Sequence, residues 1–313
     1  MAKSKKSTSS STAVRQKPLL ISPSLLRRWA LPQPDGDADK DERGQVLVIG
    51  GAAEMPGAVI LAATAALRVG AGKLQIATCR SVAPHVATAM PEARVFALPE
   101  TKSGAIATTA IARLVEQINR AQAVLIGPGM IDETAVVRLM EKVLPQIESP
   151  ALILDAAALS ALVAHPQSLH KLRGRAVLTP HANEMSELLK LDKSEIAADP
   201  QATLCRAVAE FAAVVVLKGR ETLIAAPHSK IYCNRAGNVG LATSGSGDTL
   251  AGLIAGLAAR GAAPLQAAVW GVHLHARAGD ELARKFGPLG YLARELPAEI
   301  PRLLTMLERR KKD

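Results

Sequence analysis

One stretch of the sequence has residue types and spacing suited to phosphoryl chemistry. In Thr243–Gly252, TSGSGDTLAG, the residues Gly245, Ser246 and Gly247 lead directly into a single acid, Asp248, and then into an apolar run. The change of character at that point predicts the start of a helix. Successive amides at a helix N-terminus point one way and carry partial positive charge, which suits a phosphate or a developing oxyanion. Glycines let a ligand approach the backbone closely and permit unusual φ. The acid has two readings: a first-turn residue that favours the helix dipole, or a general base that takes a hydroxyl proton while the loop holds the transferring phosphoryl group. Other glycine-rich stretches fit nucleotide loops less well. GGAAEMPGAV lacks the Lys-Ser/Thr of a Walker loop, and GAGKLQ lacks a third glycine and precedes a strand.

A loop of this kind needs a framework, and the chain supplies one from Gln45 onward. QVLVIGG is a short apolar run ending in glycines, the pattern of a buried strand entering a turn. An alanine-rich helix, GAVILAATAALRVGAG, follows. KLQIAT and ARVFAL read as strands, a helix spans about 105–120, AVLIGPG is the next strand, and a helix over about 133–143 leads to ALILD. Further strands are RAVLTP, AVVVLKG, TLIAAP and KIYCN, the last two read as a hairpin, and nearly everything from Ser246 on is helical by pattern. Strands alternating with helices predict a mainly parallel sheet covered on both faces, with ligands beyond the carboxyl ends of its strands. Gly50-Gly51, Gly127-Pro128-Gly129, Asp155, Thr179-Pro180-His181 and Lys218-Gly219 all fall at that edge. The expected organisation is a tail over 1–44 with a short helix in LLISPSLLRRWALPQP, one domain over 45–307, and a charged end over 308–313.

Composition narrows the function. The 313 residues are 49% apolar, enough for a large core, and only 2% aromatic, which leaves few platforms for stacking bases. Residues 1–45 hold nine Lys and Arg against five Asp and Glu, and residues 308–313 four against two, so the ends supply six of the ten net positive charges. The body is an ordinary surface, and no specific nucleic-acid partner is expected. Cys79, Cys205 and Cys233 form no C-x-x-C pattern, which points to free thiols in a reducing cytoplasm. No apolar run is long enough for a membrane span. The Ser-rich N-terminus lacks the apolar segment of a secretory signal and reads as a disordered tail.

Six blocks taken in order, VLVIGGAAEMPGAVILAATAALRVGAG, VLIGPGM, LILDAAAL, VLTPHANEMSELL, VVVLKGRETLIAAP and NRAGNVGLATSGSGDTLAG, resemble the NAD(P)H-hydrate dehydratases over roughly residues 45–260. The resemblance implies an α/β, three-layer α/β/α sandwich of the ribokinase-like type. It implies a repair enzyme that phosphorylates the hydroxyl of hydrated NADH or NADPH and eliminates phosphate, using ADP in most bacterial members and ATP in eukaryotic ones, with Mg2+ carried by the nucleotide. By motif, Asp248 resembles the base, and the Gly245, Ser246 and Gly247 segment the anion hole, with Gly247 also at the nucleotide. Ala58, Gly129 and His181 match positions that contact the hydrated cofactor. Lys218, Gly219, Arg220, Glu221 and Thr222 match the nucleotide segment K-G-x-x-T, and Asn238 and Glu184 match positions that assist the magnesium-nucleotide complex. The resemblance also implies a homotetramer acting on the S-epimer, alongside a separate epimerase, since only about 44 residues precede the first strand.

Each position also has a plainer reading. His181 is a turn histidine, Lys218-Gly219 a strand end, Ala58 an ordinary helix residue, Glu184 a first-turn acid, and Asp155 a helix cap with no catalytic role assigned. His273 and His275, two apart on a helix, face different ways and read as structural. The chain departs from the family pattern where Asp155-Ala156-Ala157 replaces D-x-D, where Ala182-Asn183 replaces Pro-Gly, where GPGM lacks a further glycine, and at Ser244, where glycine is frequent. The rival functions are a ribokinase-fold kinase for a vitamin-like alcohol and a non-catalytic nucleotide-binding relative.

Overall fold

The structure is a computed structural model, and it describes residues 17–37 and 39–308. The basic tail expected before Lys17 and the charged end expected after Glu308 lie outside the described residues. The strands are β1 (Leu19–Leu20), β2 (Gln45–Ile49), β3 (Lys73–Cys79), β4 (Ala93–Leu98), β5 (Ala123–Ile126), β6 (Ala151–Leu154), β7 (Ala176–Leu178), β8 (Val214–Leu217), β9 (Thr222–Ala225) and β10 (Tyr232–Asn234). They form one sheet in the order β1-β10-β9-β8-β7-β6-β5-β2-β3-β4. From β2 to β8 every pairing is parallel, and β9 alone runs antiparallel to both its neighbours.

Alternation along each strand sends side chains to two apolar layers. In β2, Val46 and Val48 join one layer, and Leu47 and Ile49 the other. The first layer is closed by α2 (Gly57–Arg68), α10 (Ser246–Ala259), α11 (Pro264–Phe286) and α12 (Leu296–Glu308). The second is closed by α4 (Ile111–Arg120), α5 (Glu133–Val143), α6 (Ala161–Ala164), α7 (Ala182–Leu189) and α9 (Pro200–Phe211). Small residues let α10 lie directly on α2: a Cβ at Gly252 would stand 2.1 Å from the Ala62 carbonyl oxygen. The alanine and glycine content of both helices is thus a packing requirement, and it holds the N-terminus of α10 in place.

Three features differ from the sequence reading. LLISPSLLRRWALPQP is more than a short helix. Leu19–Leu20 is an edge strand parallel to β10, and only Pro23–Arg28 (α1) is helical. Ile21, Leu26 and Leu31 are buried in the first layer, and the Trp270 indole N–H donates to the Trp29 carbonyl. The core therefore begins near residue 19, not 45. The helix expected from about 105 starts as a 3-10 turn at Thr108–Ala110, with the α-helix from Ile111, because Ile106 bridges Glu100 and the Ala105 carbonyl accepts from the Thr101 amide, closing the preceding loop. Helices α3 (Ala83–Ala89), α8 (Lys193–Ala198) and α9 were not anticipated, although Asp192 and Asp199 cap the last two. The three cysteines are free, and among the described residues no helix is long and apolar enough to cross a membrane.

Candidate active site

The site forms where β6, β7, β8 and α10 converge. The chain enters α10 through Gly245, whose φ of +84° suits glycine and whose missing Cβ leaves room for Leu61 Cδ1, which would otherwise stand 2.4 Å away. The Ser246 amide closes the turn on the Thr243 carbonyl at 3.2 Å. Among the described residues no carbonyl or side chain pairs with the amides of Gly245 and Gly247. They are orphan donors at a helix N-terminus, directed where an anion would complete them. Of the three residues expected at an anion hole, Gly245 and Gly247 keep unpaired amides, while the Ser246 amide is committed to the turn.

Opposite these amides stands Lys218, the first residue after β8. Its amide donates to the Pro180 carbonyl at 2.9 Å, tying it to the end of β7. Its Nζ lies 3.1 Å from Asp155 Oδ1 and 3.7 Å from Glu184 Oε2. A Cβ on Gly247 would be only 3.6 Å from the same ammonium, so the lysine stands against the N-terminus of α10. Burial alone would lower the Lys218 pKa, but Asp155 above all, then Glu184 and Asp248, outweigh it and hold the pKa above its ordinary value.

Asp155 is buried after β6 and is not a helix cap. It makes no capping bond to the 3-10 turn that follows, and Oδ1 instead accepts from Thr179 Oγ1 at 2.6 Å as well as from Lys218. Burial, and then the Asp155 charge, push the Asp248 carboxyl up to about 7, with Lys218 pulling the other way. An acid whose proton is poised near neutrality, beside a cation and free amides, is equipped to act as a base toward a hydroxyl.

His181 is the N-cap of α7. Its Nδ1 accepts from the amides of Asn183 and Glu184, both at 3.2 Å, and Glu184 Oε2 closes the capping box on the His181 amide at 2.7 Å. That fixes Nδ1 as an acceptor and leaves the half-exposed ring able to donate from Nε2. Glu184 is therefore both the first-turn acid expected and a partner of Lys218. Gly129 packs on Ala58: a Cβ at Gly129 would stand 2.4 Å from the Met55 carbonyl oxygen and 2.9 Å from Ala58 Cβ. Ala58 and Leu61 share one face of α2, and Leu61 supports Gly245, so these two positions border the α10 loop.

The K-G-x-x-T segment is the turn from β8 into β9, with Thr222 as the first residue of β9. Glu221 is held by Arg235 at 2.8 Å and accepts from the Cys233 thiol at 3.5 Å. Beside this turn opens a cleft of about 760 Å³, apolar at Ile196, Pro200 and Leu223 and cationic at Lys193, Arg220 and Arg235. Asn238 is set apart from the ion cluster. Its Oδ1 accepts from Tyr291 and from the Gly240 amide, both at 3.0 Å, and its amide group faces Asp280 at 3.3 Å, so it braces the loop leading to Gly245. Among the described residues no group of three or more His, Cys, Asp or Glu side chains is placed to hold a metal ion. Asp155 and Thr179 are the site residues that the sequence reading did not assign; their position at the sheet edge was the only signal.

This mainly parallel sheet, with its glycine-led helix and edge lysine, is an α/β fold of the ribokinase-like type. An Enterococcus faecalis ribokinase-like superfamily protein superimposes with a TM-score of 0.80 at 28% identity, covering 93% of this chain and 97% of that one. The family model for NAD(P)H-hydrate dehydratase matches residues 46–302, and the chain belongs to that family. It is 46% identical over 290 residues to the ADP-dependent (S)-NAD(P)H-hydrate dehydratase of Xanthomonas campestris, across 92% of this chain and 97% of the relative. The Bacillus subtilis ADP/ATP-dependent NAD(P)H-hydrate dehydratase, crystallised with ATP and Mg2+, aligns with a TM-score of 0.76 at 29% identity, covering 93% of this chain and 99% of that one.

Proposed function

We propose that this chain is an ADP-dependent (S)-NAD(P)H-hydrate dehydratase in which Asp248 is the base. The observation that carries the assignment of roles is the meeting of Asp248, Lys218 and the unpaired Gly245 and Gly247 amides at one helix N-terminus. ADP occupies the cleft beside Lys218–Thr222, and its terminal phosphoryl group reaches the two amides and the Lys218 ammonium. Magnesium, expected with the nucleotide, would be held by phosphate oxygens. The hydrated nicotinamide ring lies over Ala58 and Gly129, with His181 donating from Nε2.

Asp248 accepts the proton of the ring hydroxyl as its oxygen attacks phosphorus, and AMP leaves. The lysine and the amides hold the phosphoryl charge, which builds up where donors are already oriented. The ring then loses a proton and its C–O bond breaks, releasing inorganic phosphate and restoring the double bond. Phosphorylation turns hydroxide, a poor leaving group, into phosphate. The R-epimer is left to a separate epimerase, and the chain works in the cytoplasm as a homotetramer.

The test is the return of reduced-nicotinamide absorbance from purified (S)-NADH hydrate on adding ADP, compared with ATP. Absence of that absorbance, or a product alcohol that keeps its phosphate, would overturn the reading, and the latter outcome would make the chain a small-molecule kinase.

A further inference from the structure

His275 is buried in α11, one layer behind the α10 loop, and the dehydration steps proposed above give it no task. Its Nε2 lies 3.0 Å from Ser246 Oγ. Ser246 is the residue between the two glycines whose amides are free, and it is itself buried. Burial chiefly, with Lys218 adding to it, depresses the His275 pKa to about 4, while hydrogen bonding to the Ser246 main chain acts in the opposite direction. The ring is therefore neutral at physiological pH. A neutral imidazole carries a single N–H, and the contact of Nε2 with Ser246 Oγ is where that proton has a partner.

We propose that His275 is a positioning residue for phosphoryl transfer. By donating to Ser246 Oγ it occupies an oxygen lone pair, so the Ser246 hydroxyl proton is left to point at the phosphoryl group held by the Gly245 and Gly247 amides. His275 touches neither nucleotide nor hydrate. It decides whether the loop presents three donors or two amides and a hydroxyl turned backward. His273, two residues earlier, has no such place: its Nδ1 faces Asn234 Oδ1 at 3.3 Å, behind β10.

The inference rests on the phosphoryl-transfer reading of the loop, and its test is binding of inorganic phosphate in the presence of AMP, measured by calorimetry without any hydrate. His275→Leu and Ser246→Ala should each weaken phosphate binding by about tenfold, the weight of one hydrogen bond to a charged group. Both should lower kcat for the hydrate by a similar factor with KM for the hydrate unchanged. The double variant should lose no more than either single one, and His275→Gln, whose amide N–H can replace Nε2–H, should recover most of the loss. Unchanged phosphate affinity in Ser246→Ala overturns the proposal, even where His275→Leu fails to fold. Additive losses in the double variant, or equal losses in His275→Gln and His275→Leu, overturn it as well. Failure of the dehydratase reading would show instead as a wild-type protein that binds phosphate and AMP but never restores reduced nicotinamide.

Discussion

Asp248→Asn should make the protein inactive and more stable, with the stability gain confined to one pH range. In the folded chain the Asp248 carboxyl titrates at about 7 rather than at 3.8, first because it is buried and second because Asp155 is close. Holding it ionised at about pH 8 therefore costs the fold at most roughly 4 kcal/mol. Because the folded pKa is raised, the group favours folding fully only below its unfolded value, and that contribution is lost as the pH rises through about 7. Asparagine removes the charge, and with it one of three acids facing Lys218, so a net gain of about 1–3 kcal/mol is expected above neutrality. Thermal melts should show this as a rise of roughly 2–6 °C at about pH 8 and no difference near pH 4. Turnover of the hydrate should fall about 100- to 10,000-fold, the usual weight of a general base, and the acid limb of the wild-type profile, rising through about 7, should vanish. A variant that keeps its turnover, or that melts lower than wild type at about pH 8, would refute both the role and the electrostatics.

Other substitutions separate the parts of the site. Asp155→Asn removes a charge that raises the Asp248 pKa, so the acid limb of the pH–rate profile should move to lower pH; an unmoved limb would show that burial alone sets it. Lys218→Met leaves Asp155 buried without its ammonium partner and should cost about 3–5 kcal/mol in chemical denaturation, together with most of the affinity for ADP by calorimetry. Gly245→Ala forces a Cβ onto Leu61 at a positive φ and should cost about 1–3 kcal/mol, with hydrate turnover lost before ADP binding is, since the turn carries both cradle amides.

Sequence patterns resolved those parts of the molecule in which one residue type meets one requirement. The runs QVLVI, AVLI and VVVL had to be buried strands, since nothing in them could face water, and TSGSGD had to be a glycine-led helix start. The elements missed are those whose signal is divided among distant residues. Leu19–Leu20 becomes a strand only because β10 offers it an edge, with backbone bonds to Ile231 and Cys233. Asp155 read as a cap because its sequence neighbours are helical. Its true partners, Thr179 and Lys218, lie 24 and 63 residues away and come into reach only when β6, β7 and β8 align. His275 read as structural for the same reason, since a helix pattern reports which residues share a face but not which loop that face supports.

The departure at position 157 bears on whether this chain keeps its chemistry. Where the expected D-x-D pattern would have its second acid, Ala157 packs against the second apolar layer, while Asp155, two residues earlier, faces Thr179 and Lys218. The 3-10 turn over Ala156–Ser160 sends the two positions to different surroundings. An acid missing at 157 therefore takes no charge away from the Asp155–Lys218–Glu184 cluster. The proposed chemistry requires a balance: burial first, and then Asp155, raises the Asp248 pKa toward neutrality, and Lys218 keeps it from rising further. At about 7, the proposed base stays within reach of ionisation at physiological pH. Ala157 is compatible with an active enzyme, since burial and then Asp155, two residues earlier, already raise the carboxyl of the proposed base Asp248.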